Sequence, residues 1–324
     1  GWFERHGVPL KVEEDLRVFP VSDDGHDVVG AFEKLFANGG VNLHLSEPVK
    51  ALAPLESGFS LETGKGATSF DAVVITTGGN AYRHTGSAGD GYAFAKACGH
   101  TITKLGPSLN SFETADNWPK QISGLSLPMA RLEAHDEDGK KKRADGPILF
   151  THFGVSGPAV FALSSHLAFT PLTKDHPIEM TIIPDAEQTF ETWDTFLSES
   201  FYGSRNALVR TVLSERLPKR FVEQVLLHAK IPYDQKGVTL TKDQRRQIAH
   251  LLSGQLNLSL AARRPGDEFV TAGGVALEEV DPKTMRSLKN QNLYFAGEIL
   301  DVDGVTGGFN LQASWATGYL VGLS

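Results

Sequence analysis

Leu293-Tyr294-Phe295-Ala296-Gly297-Glu298 is the stretch on which the fold turns, together with the two segments after it, Leu300-Asp301-Val302-Asp303-Gly304 and Thr306-Gly307-Gly308-Phe309-Asn310-Leu311-Gln312. A short apolar run reads as a strand, and Gly297-Glu298 ends it. Two acids and a glycine loop come next. A helix then runs from about Asn310 through Gly318 to Val321, with the small residues Ala313, Ala316 and Thr317 on one face.

This order has a chemical logic. A carboxylate just past a strand end accepts hydrogen bonds from ribose or ribityl hydroxyls. The free N–H groups at a helix start stabilise negative charge, such as that on N1 and C2=O of a reduced flavin. Upstream, Phe269 to Val275 reads as a second strand ending in Gly273-Gly274. Ala72-Val73-Val74-Ile75-Thr76-Thr77 reads as a third, buried on both faces of a parallel sheet and ended by Gly78-Gly79. Before it come a helix over about 26–38, capped by Ser22-Asp23-Asp24 and ended by Gly39-Gly40, and a strand at Val41 to Leu45. A three-strand meander is next, from Val49 to Leu55, Phe59 to Thr63 and near Thr68 to Phe70. Helix, strand, meander, buried strand and glycine pair resemble the second half of a two-dinucleotide-binding-fold flavoprotein.

Glycine is enriched, at 33 of 324 residues against a usual ~7%. Much of it sits after short apolar runs, where a bare backbone can approach a ligand closely. The other counts exclude more than they assign. The net charge of −8 offers no surplus of positive charge to phosphates, so no nucleic acid is expected as a partner. The single cysteine, Cys98, rules out an intrachain disulfide, a CxxC redox pair and a Cys-based zinc site; no metal is expected. A lone thiol fits a reducing compartment, most simply the cytosol. No apolar run reaches the roughly 20 residues that span a bilayer, so no membrane is expected as a partner either.

Gly86-Ser87-Ala88-Gly89-Asp90-Gly91 precedes a helix bearing Phe94, Ala95 and Cys98 on one face, which makes Cys98 a small core residue. Between about 104 and 184 the pattern changes to short strands. His135 to Arg143 reads as a hairpin tip, its Lys140-Lys141-Lys142-Arg143 run a solvated loop. Thr151-His152-Phe153-Gly154-Val155-Ser156-Gly157-Pro158 leads into a helix with Ser156 as N-cap. Residues 186–253 read as three amphipathic helices carrying Val209, Val212 and Leu213, then Phe221, Val225 and Leu226, then Ile248 and Leu252.

These motifs, in order, resemble a bacterial family of NAD(P)/FAD-dependent oxidoreductases, the BaiN or aminoacetone-oxidase-like (YhiN-like) flavoproteins. Further matching stretches are Arg17-Val18-Phe19-Pro20-Val21-Ser22, Gly99-His100-Thr101 and Asp281-Pro282-Lys283-Thr284-Met285. The resemblance implies an α/β fold: a glutathione-reductase-like FAD domain interrupted by a β-barrel and a helical subdomain. The boundaries it suggests are 1–103 and 271–324 for the FAD domain, 104–185 and 254–270 for the barrel, and 186–253 for the helices. It implies FAD as cofactor, NAD(P)H as a possible electron donor and a small organic substrate. Carried onto this chain, Val49 meets the adenine end, and Thr77, Gly78 and Gly79 lie along the dinucleotide. Gly273, Gly274 and Gly297 line the strand ends, Glu298 or Asp301 binds the ribityl chain, and Gly307, Gly308, Asn310 and Leu311 meet the ring. His152 and Tyr82 stand as catalytic candidates.

Family members open with a strand, a G-x-G-x-x-G turn and a helix that hold the FAD pyrophosphate. That fingerprint is absent from these 324 residues. The expectation is therefore a fragment, incomplete at its N-terminus, that binds FAD poorly by itself. A non-catalytic remnant is the first alternative to an oxidoreductase. The second, a flavin-dependent RNA-modifying enzyme, should show a basic face and a nucleophilic cysteine.

Overall fold

The computed structural model describes residues 1–14, 16–203 and 206–324. Its largest element is a closed six-stranded antiparallel barrel. Around it run Lys141–Phe150, Gly154–Ser156, Phe112–Thr114, Leu256–Arg263, Ile178–Ile183 and Ser126–His135, which closes back on the first. Alternation builds it: Leu127, Ala130, Leu132 and Ala134 point inward from one strand and are all essentially buried. The hairpin joining its two long strands turns where expected. Asp136 Oδ1 accepts from the N–H groups of Asp138 and Lys140 at 3.0 and 2.8 Å. The basic run at this tip is spent on neighbouring acids, Lys142 on Asp136 at 3.0 Å and Lys140 on Asp138 at 3.3 Å.

Among the described residues four α-helices, Phe190–Gly203, Val209–Leu213, Lys219–His228 and Lys242–His250, pack beside the barrel where three were expected. Trp193, Phe221 and Leu252 are fully buried and join the barrel's Phe150 and Leu256 in one continuous core. The helix Pro158–His166 begins as expected, but its N-cap is Gly157, without a side-chain cap. Ser156 is instead used elsewhere: its Oγ lies 2.9 Å from Ser111 Oγ.

The remaining chain forms an α/β half with one parallel strand pair. Val73–Ile75 pairs in parallel with Leu293–Phe295, and the meander Ala51–Pro54, Phe59–Thr63, Gly66–Phe70 forms a second sheet whose Leu52 and Phe59 share a core with Ile75 and Phe295. The helix Gly25–Asn38 starts at Asp24, whose carboxylate accepts from the N–H of His26 at 2.9 Å. Two sequence expectations fail here. Val41 to Leu45 is not a strand, and Val41, Leu43 and Leu45 are all exposed. Val74 is 44% exposed, so its strand is not buried on both faces. A strand holds only against a paired neighbour, and among the described residues nothing pairs with 41–45. The expected strand over 269–275 shortens to Val270–Ala272, antiparallel to Gly106–Ser108. No helix among the described residues is long and apolar enough to cross a membrane.

Candidate functional site

Glu298 is where the strand-end loops converge. One of its carboxylate oxygens accepts the backbone N–H of Thr271 at 2.8 Å. Thr271 Oγ1 in turn accepts the N–H of Asn80 at 2.6 Å. Gly79 lies so close that a Cβ there would run into Thr271 and the same carboxylate. Ser87 Oγ donates to the Gly79 carbonyl at 2.8 Å, tying in the loop at 86–91. Three segments distant in sequence are thus locked around one half-buried acid.

The electrostatics arise from that burial. Burial pushes Glu298 above the usual carboxylate range, opposed by the bonds from Thr271. Asp303 is raised for the same first reason, opposed by the Ser108 hydroxyl 3.0 Å away and pushed further up by Asp301. Tyr92 is buried, and its hydroxyl lacks an aligned hydrogen-bond partner among the described residues. Burial, with the charge of Glu298 behind it, pushes that hydroxyl up to about 12, so it stays protonated.

The loop 304–308 leads into the helix Phe309–Val321. Gly307 and Gly308 take left-handed φ of 123° and 85°, and the Gly308 N-cap offers no side chain to the first N–H groups. Asn310 is occupied with the loop itself, accepting from Gly304 N–H at 2.8 Å and donating to its carbonyl at 3.0 Å. Leu311 is 62% exposed at the helix start. Gly297 donates its N–H to Thr317 at 2.9 Å, joining strand end to helix.

The sequence-predicted residues therefore fall into separate places. Val49 and Thr77 share a cleft of about 260 Å³ with Leu52, Leu61 and Val73. Gly297, Glu298 and Asn310 share a smaller one with Ala313 and Thr317. Gly78, with φ of 71°, packs toward Ser87. Gly273 and Gly274 are pressed against Lys104 and Leu300 backbone. Asp301 is half-buried, and its N–H donates to the Val275 carbonyl at 3.0 Å. His152 is exposed, edge-on to Phe153, and Tyr82 is 46% exposed beside Phe269. Among the described residues no cluster of His, Cys, Asp and Glu is placed to hold a metal. Cys98 is buried, which raises its thiol above the usual range.

Tyr92, Thr271 and Asp303 carry contacts that the sequence reading does not assign. A phenol directly after Asp90-Gly91 in a glycine loop is the available signal for Tyr92. Nothing local signals Ser108 to Asp303, a pair 195 residues apart.

The model of the family described as "HI0933-like protein Rossmann domain" matches residues 1–324. The chain belongs to the HI0933-like family. The resemblance read from its motifs is confirmed at this level. The HI0933-like chain is 28% identical over 309 residues to the 3-dehydro-bile acid delta(4,6)-reductase of Clostridium scindens, covering 94% of itself and 74% of that protein. It is also 28% identical over 315 residues to the ribosomal RNA dihydrouridine synthase of Escherichia coli, covering 97% and 75%. The Haemophilus influenzae protein of that name matches at 28% over 254 residues, covering 78% and 59%.

Proposed function

We propose that this HI0933-like chain is an FAD-dependent oxidoreductase that saturates a carbon–carbon double bond conjugated to a ring carbonyl, with NAD(P)H as electron source. The observation that carries this reading is the convergence on Glu298 of three segments distant in sequence beside an uncapped helix start. The names of the relatives add the reaction. One denotes reduction of unsaturation in a 3-oxo steroid, the others formation of dihydrouridine. Both saturate a double bond conjugated to a carbonyl.

The residues present fit FAD. Gly308 has open space where a Cβ would stand, and the first N–H groups of Phe309–Val321 are free to meet an anionic ring edge. Glu298 and Asp301 would hold the ribityl hydroxyls, with the protonated Tyr92 hydroxyl as a buried donor beside them. Val49 and Thr77 would hold the adenosine end. When bound, FAD supplies the two-electron chemistry, a hydride to the carbon β to the carbonyl, with a proton completing saturation at the α carbon. The chain's own residues bind, orient and exclude water.

A second reading, ribosomal RNA as the substrate that carries the ring, draws on the Escherichia coli relative, which matches 97% of this chain. The buried thiol of Cys98 and the neutralised hairpin tip do not supply the nucleophile and basic face expected for it.

FAD titration followed by flavin fluorescence tests the proposal, with anaerobic addition of NADH or NADPH as the second step. Expected are saturable quenching, bleaching of the flavin absorbance, and reoxidation by either a 3-oxo-Δ4 steroid or ribosomal RNA. Absence of saturable quenching at every FAD concentration overturns it.

A further inference from the structure

A recess of about 300 Å³ opens where the two halves meet, lined by Tyr82, Phe161, Phe269, Ser111 and Ser156. Three parts of the chain build it: the loop after Gly79, the barrel with its helix, and the segment 266–269 that leads into Val270–Ala272. We propose that this recess binds the flat, neutral, conjugated-carbonyl ring of the substrate between its aromatic walls, with the Ser111–Ser156 hydroxyl pair bonding the ring carbonyl.

The walls have the required form. Phe269 meets Tyr82 edge-on at 6.2 Å and 67°, and Phe161 at 5.1 Å and 69°. Tyr82 and Phe269 are each 46% exposed, so aromatic surface faces the opening. Edge-to-face rings of this kind offer both π-faces and polarised C–H edges to a planar guest. Tyr82 stands at φ of 56°, a left-handed conformation that costs a non-glycine residue energy. Such strain clusters at binding sites, and here it turns the ring toward Phe269.

The polar end is equally defined. Ser111 Oγ lies 2.9 Å from Ser156 Oγ, and Ser111 is 3% exposed. One hydroxyl donates to the other, which leaves a second O–H to donate to a carbonyl. Asp267 and Glu268 also line the recess and disfavour an anionic guest. The volume is at the lower end of the roughly 300–1,000 Å³ of ligand pockets, which suits one ring entering while the remainder of the substrate stays outside. The recess also adjoins the convergence point. Phe269 leads directly into Val270–Ala272, whose Thr271 is held by Glu298.

This inference rests on the proposed reduction, and its test separates the two. Binding of testosterone and of uridine is measured by calorimetry on the whole chain, with their ring-saturated counterparts as controls. The comparison is repeated for Phe269→Ala, Phe269→Leu and Ser111→Ala, with thermal unfolding checking that each variant folds. At least one conjugated probe is expected to bind more tightly than its saturated counterpart. Phe269→Ala and Phe269→Leu should each weaken it about tenfold, and Ser111→Ala about fivefold. Testosterone binding identifies a steroid-type source of the ring, uridine binding a nucleoside source. Failure of both probes to bind, or folded variants that bind as wild type does, overturns the site. Turnover whose KM ignores Phe269→Ala removes the site and leaves the oxidoreductase reading intact. Ring binding that the variants abolish, in a chain that takes up no FAD, does the reverse.

Discussion

Phe190–Gly203 and Phe309–Val321 are helices of 14 and 13 residues, and they are held in opposite ways. The first drives Trp193 and Leu197 to zero exposure in the core shared with the barrel. The second buries no residue at all, and Trp315 and Tyr319 remain 39% and 61% exposed. Its Trp315 stacks on Phe32 at 5.8 Å and meets Phe3 edge-on at 5.2 Å. A cavity of about 970 Å³ lies among these aromatics, Thr76 and Tyr319. The barrel and its helices thus satisfy themselves through mutual burial. The Rossmann-type half leaves apolar faces open to solvent.

The contrast is broken most directly by removing one indole from each half. Trp193→Ala should cost about 3–5 kcal/mol, the sum of lost burial and a cavity that dense packing cannot close. Trp315→Ala should cost about 2 kcal/mol, because over a third of its surface is already in water. Chemical denaturation of both variants measures this, and equal losses would erase the distinction.

A second test uses two glycines with nearly the same backbone. Gly273 and Gly308 have φ of 86° and 85°. A Cβ on Gly273 would strike the Lys104 carbonyl, whereas one on Gly308 meets nothing within 4 Å. Gly308→Ala should therefore show only the cost of left-handed backbone, about 1 kcal/mol. Gly273→Ala adds a backbone clash and should cost about 2–3 kcal/mol. The readout is again the unfolding midpoint. If FAD binds at the helix start, Gly308→Ala should weaken flavin quenching while Gly273→Ala leaves it near wild type at a temperature where both are folded.

Legibility in the sequence is a matter of range. The helix over 25–38, the meander and the hairpin at Asp138-Gly139 are set by caps, alternation and turn chemistry within a few residues, and each appears where those signals stand. The absent strand at 41–45 has the right alternation, but a strand needs a neighbour that local pattern does not supply. The same limit applies to the site. Gly78, Gly79 and Glu298 are legible as strand-end residues, yet their mutual lock through Thr271 and Ser87 joins parts of the chain about 190 residues apart. The recess has no local signal either, since Ser111 and Ser156 come together only when the barrel closes. Ser156 reads as a helix cap because its sequence context fits one equally well.

The smallest effects concern acids, and they again divide by half. Glu279 sits in the Rossmann-type half with 13% of its side chain exposed. Burial pushes it up, but Lys289 at 2.6 Å and both the N–H and hydroxyl of Thr101 at 2.8 Å outweigh that, leaving it at about 2. His100, buried and 2.8 Å from Ser287 Oγ, is lowered by burial, with the nearby Glu279 carboxylate opposing. A depressed carboxylate stabilises the fold fully above its ordinary value of 4.5 and loses that contribution as pH falls toward about 2. A depressed histidine favours the fold above its ordinary 6.5 and loses that as pH falls below it. Both slopes have the same sign, so stability should decline on acidification from about pH 6.5 downward. Glu279→Gln should flatten the part below pH 4.5, by about 1–2 kcal/mol in total, and His100→Gln the part just below 6.5. Asp145 in the barrel is also lowered, chiefly by Arg131 at 2.9 Å, but its side chain is 36% exposed. Solvent screens that pair, and Asp145→Asn should change stability by less than about 1 kcal/mol at any pH. An Asp145→Asn effect as large as that of Glu279→Gln would mean that exposure does not decide the worth of these ion pairs.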